Sequence, residues 1–258
     1  MKNREKILEY ASLYNNKEFI ENDPIKFPYR YKDKRDIEIS GFVSSWIAYG
    51  NRINILKTLE RIHLEFNTSP LEYIQSRGFE KYKDSKENLY RFYTYNDYYL
   101  LCQRFYDIYI TEKNQSLEEK VISVREKQEE LLSLEKNIEI KNIKRLGLVS
   151  SLIDTFSDVK GVPINNASSC KRLAMFLRWM VRRDGIVDLG IWDKVSPRDL
   201  ILPLDTHSYR MSLELGLTNR KTNDMKTALE ITGVLEEAFP EDPALGDFSL
   251  FGCGVNNK

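Results

Sequence analysis

Residues 160–185 read KGVPINNASSCKRLAMFLRWMVRRDG, and the fold is decided by how this stretch is read. Its apolar residues recur at helical spacing, which predicts a helix from about Ser169 to Arg183. The loop Pro163–Ala167 leads into it, Ser168 or Ser169 supplies an N-cap, and Gly185 supplies the stop. At about 3.6 residues per turn, Leu173, Phe176, Leu177 and Met180 share one face, which belongs in a core. Lys171, Met175, Arg178 and Arg182 share the opposite face. That second face is either an ordinary solvated surface, the commoner fate of such a stripe, or a face aimed at phosphates. Six Lys or Arg and no Asp or Glu fall between 160 and 183, a strongly basic local balance. Lys171 sits in the first turn, where the helix dipole disfavours an ammonium and so favours the free amine that a nucleophile needs.

Working outward, residues 202–217 read LPLDTHSYRMSLELGL. Asp205 or Thr206 caps a helix that ends at Gly216. A cap and nothing more is the plainer role for Asp205, but a cap carboxylate beside a cleft is both ionised and fixed in position. Asp205 with His207 could also begin a metal site, although two ligands in a short run carry little weight. The tail gives two helices separated by PEDP, with Asp247, Phe248 and Phe251 on the last.

Upstream the periodicity is again helical. Ile7, Leu8, Ala11 and Tyr14 mark a first helix, and a loop with Pro24 and Pro28 follows. A long helical stretch covers about 36–66, broken or kinked at Gly50. Pro70 opens a short helix that Gly78 ends. Residues 89–110 are crowded with Tyr and Phe; they read as a helical core with phenolic groups at the surface, or as stacking platforms for bases. Ser116 and Glu119 suggest a capping box opening a charged, solvated helix through Lys136, and another helix covers about 141–156. With no long alternating strand, the expected class is all-α.

Composition narrows the function classes. The 258 residues carry 39 basic and 39 acidic side chains, with 41% hydrophobic residues, enough for a sizeable core. No apolar run approaches the ~20 residues of a membrane span, and the charged N-terminus is unlike a secretory signal. Cys102, Cys170 and Cys253 are too scattered for a disulfide framework, and His63 and His207 are too few for a multi-histidine zinc site. Phosphate-binding glycine motifs are absent. A cytoplasmic protein working through Lys, Asp, Glu or Tyr, with no metal or cofactor, is expected.

The order of these parts resembles the helix-hairpin-helix DNA glycosylase superfamily, which includes endonuclease III. The shared features are a basic helix with lysine in its first turn, an LPLDTH segment before a helix, ALE in the next helix and FGCG in the last. The resemblance covers about 145–258. A separation of 34 residues between Lys171 and Asp205 is similar to the archaeal-type 8-oxoguanine DNA glycosylases with AP-lyase activity. The whole chain also looks like an uncharacterised bacterial branch of similar size. Two departures stand out. KGVPINNASSCKRLA replaces the usual LPGVGxKTA hairpin, and the four-cysteine iron–sulfur loop is missing. SSWIAYGNR, residues 44–52, resembles the helix that contributes to the base pocket, with Ile47 where relatives have glutamine.

The resemblance implies a single two-lobed glycosylase-like unit over 1–258, with an atypical hairpin and a cleft between lobes. Residues 36–185 would form the central lobe, and 1–35 with 186–258 the second. It implies excision of an oxidised purine, 8-oxoguanine above all, from double-stranded DNA by a monomer. Lys171 would attack C1′ and Asp205 would stabilise the cationic sugar. Met175, with Trp46 or Phe251 opposite, would sandwich the base. Asn51, Arg52, Arg178, Arg182, His207 and Asp247 are the further candidates for base or DNA contacts. Two rivals stay open: a non-catalytic nucleic-acid-binding protein on this scaffold, and a metal-dependent hydrolase centred on Asp205 and His207.

Overall fold

The computed structural model describes residues 3–135 and 138–256, without the side chains of 255 and 256. It is all-α, as expected, apart from one short hairpin. The helices are α1 Arg4–Tyr14, α2 Glu18–Glu21, α3 Lys34–Ile47, α4 Arg52–Phe66, α5 Pro70–Gln75 and α6 Tyr95–Tyr106. They continue with α7 Leu117–Ser133, α8 Ile140–Thr155, α9 Lys171–Val181, α10 Thr206–Glu214, α11 Met225–Leu235 and α12 Gly246–Asn256. Strands β1 (Asn88–Tyr90) and β2 (Tyr93–Thr94) pair antiparallel. Among the described residues no helix is long and apolar enough to cross a membrane.

Helix α9 lies at the centre. Every residue from Leu173 to Val181 is buried, so the two-faced wheel does not hold. Helix α3 packs against one side of α9, and α3 is itself buried from Asp36 to Ile47. The chain beyond α9 wraps its far end: Leu189 and Gly190 donate to the Trp179 carbonyl, and Trp192 donates to that of Met180. These bonds supply partners for the last helical carbonyls. The helix therefore stops at Val181, and Gly185 (φ 67°) lies in the turn beyond instead of forming the stop. Helix α1 packs on α12, and α12 on α10, so the two ends of the described chain meet.

Gly50 breaks the long helical stretch in two, one of the two outcomes expected for it, with φ 99° and with Asn51 accepting from the Asn54 amide to cap α4. Two further expectations need correction. Residues 88–94 form the hairpin instead of helix, turning through Arg91 at φ 50°. Most of the aromatic rings that follow point inward: Tyr90, Tyr93, Tyr95, Tyr98, Phe105 and Tyr109 are buried, and Tyr109 donates its hydroxyl to the buried Glu38. Phe92 at the hairpin tip is the exposed exception. At Ser116 the hydroxyl accepts from the Glu119 amide, but the Glu119 carboxylate turns to the Gln115 amide, so the box is not reciprocal. Lys136, the expected end of that helix, lies outside the described residues.

Candidate functional site

The turn that starts α9 was expected to be capped by Ser168 or Ser169. Instead Cys170 occupies the cap position in the left-handed conformation (φ 48°, ψ 35°) and makes no side-chain cap bond. Ser169 is used elsewhere: its hydroxyl donates to the Leu204 carbonyl at 2.8 Å. Leu204 immediately precedes Asp205, which caps α10 by accepting from the amides of His207 (2.8 Å) and Ser208 (2.9 Å). Both cap bonds fall on Oδ1, and Oδ2 accepts no hydrogen bond from the described residues.

Lys171 and Asp205 line one cavity of about 440 Å³. Met175, Phe251, His207, Arg52, Arg178 and Asp247 line it too, so eight of the candidate residues converge there. The Lys171 amine lies 3.6 Å from the Met175 sulfur. Phe251 is 38% exposed and is held edge-on by Tyr14 and Phe19. The Arg52 guanidinium makes no hydrogen bond with the described residues, which leaves its five donors for a ligand.

The basic stretch proves to be neutralised from within. Arg182 is fully buried and pairs with Asp184, Asp188 and Asp242. Arg178 is buried between Asp188 and Asp247, with its guanidinium 4.7 Å from the centre of the Phe248 ring. Neither arginine is an open phosphate contact, contrary to expectation; buried charges persist only when paired in this way. Lys160 pairs with Asp97, Arg183 donates to the carbonyls of Trp192 and Val195, and Arg172 donates to the carbonyls of Trp46 and Gly161 and to the Tyr93 hydroxyl. Among the described residues, Lys171 is the member of this basic set whose side chain bonds to no oxygen.

Besides Arg182, two candidates stand apart from the cavity. Trp46 is buried and stacked on Tyr93 at 4.0 Å, and its indole N–H donates to the Lys160 carbonyl. It lines a smaller cavity of about 160 Å³, which Lys171 also borders, so Trp46 does not face Asp205. Asn51 is occupied as the cap of α4.

One carboxylate in the cavity was not anticipated. Asp23 caps the 3₁₀ turn Pro24–Lys26, a position that reads in sequence as a cap before proline and nothing else. Burial pushes its carboxyl above the usual range, while the Ile25 amide, Arg178, Lys171 and Arg52 pull against that. Asp247 is raised by burial and by Asp205, against Arg178 and Lys171. Each acid therefore feels the lysine. Phe19, also missed, and Phe248, placed on the last helix by the sequence, complete the aromatic wall.

The His207 ring lies 3.4 Å from Arg210. Among the described residues no three His, Cys, Asp or Glu side chains are arranged to hold a metal ion. An amine, a carboxylate with an open oxygen and an aromatic wall in one cavity suit nucleophilic chemistry beside a flat ligand. A family model described as Protein of unknown function (DUF2400) matches residues 23–256. No curated protein and no solved structure matches the chain.

Proposed function

The chain belongs to the DUF2400 family of proteins of unknown function, and from that premise we propose that it is a DNA base-excision glycosylase with AP-lyase activity. Its substrate is duplex DNA carrying an oxidised purine, 8-oxoguanine first. The observation that carries this reading is the shared cavity of Lys171 and Asp205, joined behind by the Ser169–Leu204 bond.

The damaged nucleotide is rotated out of the duplex into the cavity. Met175 and Phe251 hold the two faces of the base. Lys171, as free amine, forms a bond from Nζ to C1′ while the bond from C1′ to the base breaks. The leaving base takes the electron pair and a proton. Asp205, through its open oxygen, stabilises the positive charge that gathers on the sugar. Ring opening then gives an imine on Lys171. Loss of a C2′ proton expels the 3′ phosphate by β-elimination, and water releases the lysine. Arg52 meets a backbone phosphate. The packing of α1 and α10 on α12 supports a second lobe built from both chain ends, facing a lobe of α3 to α9.

Trapping tests the reading. Wild-type protein, 8-oxoguanine duplex and borohydride should give a covalent adduct, and Lys171→Ala should give none. No adduct from wild type on any oxidised, deaminated or alkylated duplex would overturn it.

A further inference from the structure

Within the glycosylase reading, on which this step rests, we propose that Asp23 selects the base: it accepts a hydrogen bond from an N–H that the damaged purine has and the normal one lacks. Asp23 is 9% exposed and lines the same cavity as Lys171 and Asp205. Its Oδ1 accepts from the Ile25 amide at 3.1 Å. Its Oδ2 accepts nothing from the described residues. Asp23 as a whole is largely buried, but Oδ2 stays accessible from the cavity, so a ligand there can donate to it.

The chemistry of the ligand follows from the acceptor. Guanine carries a lone pair on N7. Oxidation at C8 places a carbonyl there and a proton on N7. A carboxylate oxygen facing N7 is therefore satisfied by the oxidised base and repelled by guanine. The N1–H and the exocyclic amine are common to both bases and cannot separate them. Sites built to accept such a donor reject the analogue lacking it far more strongly than apolar pockets reject a missing methylene.

Capping alone would not distinguish Asp from Asn, since both accept one amide hydrogen bond equally well. Asp23→Asn therefore keeps the turn at Pro24 while it replaces one acceptor by a donor. The measurement is the ratio of single-turnover excision on 8-oxoguanine duplex to strand cleavage on the same duplex carrying an abasic site. The ratio should fall about 10-fold or more in Asp23→Asn relative to wild type. An unchanged ratio, including a parallel fall in both rates, would overturn the assignment. Borohydride trapping of wild type on the abasic duplex separates the two levels. An adduct there with an unchanged ratio sinks the role of Asp23 alone, and no adduct with either duplex sinks the glycosylase reading together with it.

Discussion

The hydroxyl of Ser169 donates to the carbonyl of Leu204 across 35 positions of sequence. Each partner stands next to the chemistry. Ser169 is two residues before Lys171, and Leu204 is one before Asp205. This bond ties the residues just before the amine at the head of α9 to the residue just before the acid at the head of α10. Leu204 is fully buried, so its carbonyl has little access to water in place of the hydroxyl.

Ser169→Ala should therefore cost about 1–3 kcal/mol, the penalty of a buried acceptor left unpaired. Urea unfolding would measure it. Borohydride trapping should fall with it, whereas Ser168→Ala should leave trapping near wild type. Equal effects at the two serines would refute the role given to this bond.

Asp205 has two separable jobs. Asp205→Asn keeps the cap of α10 and should leave the melting temperature close to wild type, while Asp205→Ala should lose about 1 kcal/mol. Base release should drop severely in both. If Asn restored the excision rate, Asp205 would be a cap and nothing further.

Cations near the site divide into structural and available. Arg182→Ala removes one of the two arginine partners of the buried Asp188 and the partner of the partly exposed Asp242, and should destabilise the protein by about 3–5 kcal/mol, visible as lost soluble yield. Arg52→Ala should leave folding intact and weaken duplex binding, lowering the salt slope by about one. Fluorescence anisotropy across a salt series gives that slope, and an unaltered slope would remove Arg52 from the interface.

His63 should make folding sensitive to acid. Burial holds its imidazole down to about 3, from an ordinary value of 6.5. Its Nδ1 faces the Leu59 carbonyl at 2.8 Å and its Nε2 faces the Ser40 hydroxyl at 2.7 Å, a pattern suited to the neutral ring. The unfolded chain binds a proton at that ring below 6.5 and the folded one does not. Stability from His63 is thus full above 6.5 and is lost progressively as pH falls toward 3. Between pH 7.5 and 5.5 wild type should lose about 1 kcal/mol more than His63→Gln. Parallel unfolding curves at the two pH values would disprove it.

Local patterns were legible in the sequence. Hydrophobic spacing marked α8 to within a residue at each end, the cap and Gly216 bounded α10 to within two, and the Asp205 cap and the first-turn lysine were legible from the sequence. These features depend on neighbours three or four positions apart, which a linear reading contains. Misreadings arose where distant chain supplied the partner. The Cys170 cap differs because Ser169 was drawn to Leu204.

The basic run at 160–183 looked like an open cationic face because its neutralising groups lie elsewhere. Asp97 precedes it, and Asp184, Asp188, Asp242 and Asp247 follow it, brought in by the packing of later segments. Asp23 joined the cavity for the same reason, from a proline turn far from Lys171 in sequence. By itself the sequence determined the helical class, the amine at the head of α9 and the acid at the head of α10. Only the tertiary structure decided which charges are used up in the interior and which remain open in the cavity. The physical reason is that burial makes every unpaired charge costly, so the partners are chosen by proximity in space, and spacing along the chain carries no record of that choice.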